Sequence, residues 1–184
     1  LFLMFPLAFG AESAHAARGM ALSAGVLQAI SHATAKAAMF MAAGLIYAAL
    51  GHDRIADLRG LGRALPVTLF AFGLAGISLV GLPPAGGFLA KWWLLSAAVA
   101  SGQWWWCVVL VVGGLLTAAY LFVVVSRALQ PADEPLVLRA PVARYRELVA
   151  LALALCSALL GVVALFDIDL LVIGRAPALA EAQR

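Results

Sequence analysis

No carboxylate lies in the middle of any long apolar run of this 184-residue chain. Charge of either sign is scarce: nine Asp and Glu against twelve Lys and Arg, 11% of residues in all. A soluble domain carries about 25% charged residues. Here 65% are hydrophobic and the mean hydropathy is +1.05, which excludes an ordinary soluble fold. The apolar runs continue over about 20 residues without period-two alternation, so helices rather than a barrel are expected in the membrane. The two cysteines, Cys107 and Cys156, both fall in apolar segments and read as small buried apolar residues. There is no histidine pair spaced for haem, no cysteine cluster and no Gly-rich nucleotide loop. No cofactor and no metal site is expected, and the chain has no redox site of its own. The net charge of +3 does not mark a nucleic-acid partner, because the arginines sit in short connections and form no basic face.

What remains is an all-α, polytopic transmembrane helix bundle with one broken helix. A partial span over 1–10 is expected, then spans over 20–50, 66–100, 104–128 and 148–166, and a short tail over 175–184. The opening apolar run lacks a positive leader and a cleavage site, so the chain reads as the C-terminal part of a longer protein. Trp104, Trp105 and Trp106 read as an aromatic belt at one interface. Gly44, Gly73 and Gly76 are expected to serve close helix packing. Trp92 and Trp93 read as packing or lipid contacts rather than a cofactor site, Thr117 and Tyr120 as packing ahead of path-lining, and His15 and His52 as solvated connection residues.

The most informative stretch is Gly81-Leu-Pro83-Pro84-Ala-Gly86-Gly87-Phe88-Leu-Ala-Lys91. Two prolines remove two donors and stop a helix, and glycines let the chain turn. Inside a membrane such a break survives only where the freed backbone groups face protein or a watery cavity. The 66–100 segment is read as one crossing in two halves; a span followed by a re-entrant half-helix is the alternative. Lys91 follows the break at once. An intramembrane lysine costs about 2.5–3.5 kcal/mol on insertion scales and marks function by default.

A second signal lies in 20–50. Gln28, His32 and Lys36 recur every four residues and form one polar stripe, with Ser31 and Thr34 beside it able to line a path and hold water. Ten of the twelve basic residues are arginines, all in connections, span ends or the tail; the two lysines, Lys36 and Lys91, are both inside spans. Arginine stays protonated, whereas a desolvated lysine can release its proton, and histidine titrates at about pH 6.5. The pattern is that of Lys91, Lys36 and His32 handling protons, with no carboxylate partner in the spans.

These residues carry a family resemblance. His32, Lys36, Phe40 and Gly44, four apart, together with Asp57-Leu-Arg-Gly60-Leu-Gly62, Pro66 and the whole Gly81–Lys91 stretch, resemble the antiporter-like membrane subunits. These occur in respiratory complex I (NADH-quinone oxidoreductase), in Mrp-type cation/proton antiporters and in energy-converting hydrogenases. The resemblance covers about Leu27 to Ala128. It implies two inverted five-helix repeats, each with a broken helix, of which this chain holds the end of the second and the trailing helices. It implies that Lys91 is the lysine of the second broken helix, near the exit side of a proton path, and that Lys36 and His32 are the relay before it. Some members carry glutamate at the position of Lys91. The implied function is proton translocation within a multisubunit complex, with other membrane subunits and the lipid bilayer as partners. Two rivals are a sodium or potassium/proton exchanger of the Mrp type or a membrane hydrogenase subunit, and a structural membrane subunit whose lysines only hold helices together.

Arginine counting gives the orientation. Arg54, Arg59, Arg63, Arg127, Arg139, Arg144 and Arg146 collect on one side, against Arg18, Arg175 and Arg184 on the other. The excess places the 51–65 and 130–147 connections in the cytoplasm, in what reads as a bacterial inner membrane. Asp53→Cys, introduced into a cysteine-free full-length protein, is therefore expected to react with an impermeant thiol reagent in inverted vesicles and not in intact cells. Labelling in intact cells would reverse the topology.

Overall fold

The computed structural model describes residues 4–9, 15–132 and 136–166, which form helices and connections with no strand among them. Glu12, Asp167, Asp169 and the 175–184 tail lie outside the described residues, as does the His15 side chain. Of the partial first span, the described part is helix α1, Met4–Phe9. Helix α2 follows over His15–Leu50, starting earlier than the apolar run because Arg18 and Gly19 are absorbed into its first turns. It spans about 54 Å at 1.5 Å per residue. A single turn, α3 (Leu61–Ala64), precedes α4 (Pro66–Val80) and α5 (Gly86–Ala100). Helices α6 (Trp105–Leu129) and α7 (Arg144–Phe166) complete the bundle.

Among the described residues three helices are long and apolar enough to cross a membrane, and the chain is an integral membrane protein. Helices α4 and α5 are not among the three. Each reaches only about 22 Å, short of the ~30 Å hydrocarbon core. Their packing shows how they share the crossing. Leu69 of α4 clusters with Ile46, Ala49 and Leu50 at the end of α2, and Phe72, Ala75 and Leu79 cluster with Ala35, Ala38 and Ala42. Leu89 and Ala90 of α5 then meet Leu27, while Ala97 and Ala98 meet Ala21 and Ala24. The two halves therefore follow one another along α2, antiparallel to it.

Alanine makes this possible. It is the best helix former, and its small side chain lets helices approach closely where no hydrophobic drive separates protein from lipid. Ala35, Ala38 and Ala42 of α2, Ala71 and Ala75 of α4, and Ala150 and Ala154 of α7 are all fully buried in one cluster. Helix α6 reaches this cluster through Leu121, with Val124 and Val125 packed against it, and lies on α4 and α5. Its other face leaves Val108, Val111, Leu115 and Phe122 exposed, as a lipid-facing surface requires.

The polar connections meet at one end of the bundle. The Arg139 amide donates to the Ala49 carbonyl at 2.7 Å, and the Gly60 amide to the Gln130 carbonyl at 2.8 Å. The seven arginines grouped by charge counting thus share one end. The second connection is shorter than its polarity indicates, because α7 begins at Arg144 and takes Glu147 into its first turn.

Of the three glycines expected to serve close packing, only Gly76 lies close to a neighbouring helix. A Cβ on Gly44 or Gly73 would meet nothing within 4 Å, and one on Gly76 would meet only the Leu121 side chain, at 3.1 Å. The close approaches are at the break: a Cβ on Gly87 would strike the Ser78 carbonyl, and one on Gly161 the Pro84 carbonyl and Ala85 backbone. Backbone cannot rotate aside, so Gly161→Ala and Gly87→Ala are expected to cost about 1–3 kcal/mol by overpacking. Gly73→Ala is expected to hold or raise stability through helix propensity. Thermal unfolding of the detergent-solubilised full-length protein checks the contrast; equal midpoints for the three variants would contradict it.

Candidate functional site

In a continuous helix the Leu79 and Val80 carbonyls would accept from the amides four residues on. Those residues are Pro83 and Pro84, which have no N–H. The two carbonyls are orphaned by the same residues that end the helix. Gly81, at φ +84°, closes α4 instead: its amide and that of Leu82 both donate to the Ile77 carbonyl at 3.0 Å. The Pro83–Pro84 peptide bond is cis. The chain turns into α5 with Gly86 and Gly87 buried.

Lys91 lies on the second turn of α5. Helical side chains lean back toward the N-terminus of their helix, which aims this one at the break. Its ammonium donates to the Leu79 carbonyl at 3.0 Å and the Val80 carbonyl at 2.7 Å. It also meets the negative end of the α4 dipole. Gly81 permits this approach, since a Cβ there would sit 2.7 Å from Lys91 Cδ. Lys91 lines two cavities. One, of about 230 Å³, is walled by Gly81, Phe88, Trp92, Leu110 and Gly114; the other, of about 140 Å³, by Gln28, Leu94, Val109, Gly113 and Gly114. Phe88 stacks on Trp92 with ring centroids 6.3 Å apart.

The stripe on α2 divides. Gln28 is buried and shares the smaller cavity with Lys91. His32 and Lys36 are half-buried, and Lys36 Nζ lies 5.6 Å from the centre of the Phe40 ring, a cation–π distance. The Thr34 hydroxyl is engaged by its own helix, donating to the Ile30 or Ser31 carbonyl at 3.0 Å. Ser31 is fully buried and faces neither Lys91 cavity.

Ser31 belongs to a group that the sequence does not announce. Its hydroxyl meets that of Ser78 at 3.0 Å, and the Ser78 hydroxyl meets that of Ser157 at 2.7 Å. Ser157 also reaches the Ser31 carbonyl at 3.0 Å. This triangle ties α2, α4 and α7 together beside the start of α5, where a Cβ on Gly86 would lie 3.0 Å from Ser31 Oγ. A second buried pair lies about three turns away, where the Thr68 hydroxyl donates to Glu147 Oε1 at 2.7 Å. Among the described residues no group of His, Cys, Asp and Glu is placed to hold a metal.

Residues 11–117 match the family profile described as NADH:quinone oxidoreductase/Mrp antiporter, TM. The chain belongs to this family. The matched region takes in the α2 stripe, the break, Lys91 and the Gly113–Gly114 wall. NADH-quinone oxidoreductase subunit N of Desulforudis audaxviator is 34% identical over 109 residues, 59% of this chain and 22% of that protein. A Na(+)/H(+) antiporter subunit of Alkalihalophilus pseudofirmus is 42% identical over 84 residues, 45% of this chain and 10% of that protein. The solved Mrp complex from Dietzia sp. DQ12-45-1b contains a similar chain, with a TM-score of 0.74 and 25% identity over 83% of this chain and 37% of that one. The chain thus spans well under half the length of the relatives it matches.

Glu147 and Ser157 lie beyond the residues matched to the family profile, so their role is read from geometry alone. Thr68→Val keeps the shape but leaves a buried carboxylate oxygen without its donor, an expected cost of about 1–3 kcal/mol. Thermal unfolding of the solubilised full-length protein tests this; the double variant with Glu147→Leu should recover part of the loss. A Thr68→Val protein as stable as wild type would show the pair to be dispensable.

Proposed function

We propose that this chain is part of a proton-translocating membrane subunit, and that Lys91, Lys36 and His32 carry the proton. The observation that supports it best is Lys91 itself: an ammonium inside a membrane crossing, held by main-chain carbonyls with no carboxylate partner among the described residues, and with cavities on two sides. A structural cation would be neutralised by an acidic partner. This one is stabilised by dipoles that leave its proton free to exchange. One pKa unit corresponds to 1.36 kcal/mol, so a modest change of field from a neighbouring subunit is enough to load or unload such a group. Lys36 and His32, one turn apart on α2, lead toward it, with Gln28 completing the stripe.

In this reading the chain works with other membrane subunits in a multisubunit complex of a bacterial inner membrane, and the arginine-bearing end is cytoplasmic. Electron transfer, where the complex performs it, belongs to other subunits. An Mrp-type cation/proton antiporter is the second reading, favoured by the TM-score of 0.74 to the Mrp chain. Dependence of transport on sodium or potassium separates the two.

The test uses inverted vesicles carrying the full-length protein in its complex. Lys36→Ala, and Lys91→Gln, which keeps N–H donors for the Leu79 and Val80 carbonyls, are expected to lower proton pumping by at least about tenfold, the equivalent of 1.36 kcal/mol in the barrier, with the amount of assembled complex unchanged. Loss of the complex, or undiminished pumping, would assign both lysines a structural role.

A further inference from the structure

Two hydrogen-bonding groups at the site are left over, one donor and one acceptor. A lysine ammonium has three N–H bonds, and Lys91 spends two of them on the Leu79 and Val80 carbonyls. Gln28 is 8% exposed, and its Oε1 is buried with no hydrogen-bond partner among the described residues. An unmet buried acceptor costs about 1–3 kcal/mol, so it needs a donor. Both residues line the same cavity of about 140 Å³, which at about 30 Å³ per molecule has room for a few waters. It is polar on the α2 and α5 sides and is closed on the α6 side by Gly113 and Gly114. A Cβ on Gly113 would meet nothing within 4 Å, and one on Gly114 would come 3.7 Å from Lys91 Nζ. The pair is not a forced close contact, since the nearest atom to a Cβ on Gly114 is the Val80 carbonyl oxygen of α4, at 3.5 Å. It keeps space open against the ammonium.

We propose that the cavity between Gln28, Lys91 and the Gly113–Gly114 notch of α6 is a water chamber, and that its water bridges Gln28 Oε1 to the third proton of Lys91 and carries that proton away. The proposal rests on the relay reading and adds to it the groups that take the proton from Lys91. The step balances simply. The third Nζ–H bond breaks, its proton joins a water, and that water passes one of its own protons to the next. Lys91 is left as a neutral amine with two N–H bonds, and two are what the Leu79 and Val80 carbonyls need. The break stays satisfied in both protonation states. Gln28 holds the first water in place without binding the proton, which a carboxylate would trap.

The test measures proton pumping and assembly of the full-length protein in its complex, in inverted vesicles, for Gln28→Leu, for the double variant Gly113→Ala/Gly114→Ala, and for Lys91→Ala. The alanines meet only ordinary contacts, so that double variant is expected to assemble as wild type while its methyl groups displace water. Both it and Gln28→Leu are expected to lower pumping by about fivefold or more, the kinetic equivalent of one water-mediated hydrogen bond. Hydration is read separately. With Cys107 and Cys156 replaced by alanine, Gly113→Cys is expected to react with a small methanethiosulfonate reagent, which needs a hydrated thiol, and Leu116→Cys on the exposed face is not. Wild-type pumping by the double-alanine variant overturns the proposal, and this variant decides alone if Gln28→Leu fails to assemble. An unreactive Gly113→Cys also overturns it. Should Lys91→Ala abolish pumping in the same series, the relay reading survives that failure. Undiminished pumping by Lys91→Ala removes the relay reading, and the chamber with it.

Discussion

Two carbonyl oxygens with no amide to meet are the constraint on which the centre of this bundle depends. In lipid an unsatisfied backbone group costs several kcal/mol, so a helix can stop midway only if something else supplies donors. Pro83 and Pro84 create the deficit at Leu79 and Val80, and one lysine, from the next helix, removes it. The same contact places a positive charge at the negative end of α4. Hydrogen bonds to charged donors contribute about 1.5–3 kcal/mol each, enough to offset the insertion cost of lysine without an acidic partner. The lysine is in the membrane where the break needs donors.

Around that point the bundle divides into a dry side and a side with room for water. Between α2, α4 and α7 the alanine seam is closed, with hydroxyls at one end and the Thr68–Glu147 pair at the other. The alanines between them are fully buried and bring no side-chain hydrogen-bonding group. Between α2, α5 and α6 the packing opens at glycines, and both Lys91 cavities lie on this side. The serine triangle and the Lys91 contacts therefore differ: the first ties three helices together, the second joins the two halves of the crossing and borders the cavities.

The break was legible in the sequence because its causes are local. A proline lacks its donor wherever it stands, and Gly81 adopts the left-handed turn that its residue type allows. The all-helical membrane fold and the stripe on α2 follow from hydropathy and a period of four. The partners of Lys91 were not legible, since main-chain atoms carry no residue identity. Neither was the serine triangle, whose members lie 47, 79 and 126 positions apart and look alone like any serine in a helix. Glu147 reads as part of a polar connection because the apolar run begins at Leu148; only the fold brings Thr68 to it. Glycine was misleading for a related reason. Small residues mark close packing only when their face is turned to a neighbour, and the face is a tertiary property. Gly44 and Gly73 point into open space, whereas Gly161 lies on the Pro84 carbonyl.

That last contact also sets a timescale. With Gly161 of α7 pressed on Pro84 and Gly87 on Ser78, the turn between the half-helices is clamped from both sides by backbone. It is a poor hinge, and bending there would drag α7 with it, a collective motion of microseconds or longer. Lys91 is itself half-buried and tied to this turn by the Leu79 and Val80 carbonyls. A break in a membrane helix is commonly pictured as a joint. Here it is a rigid mount for the side chain fixed to it.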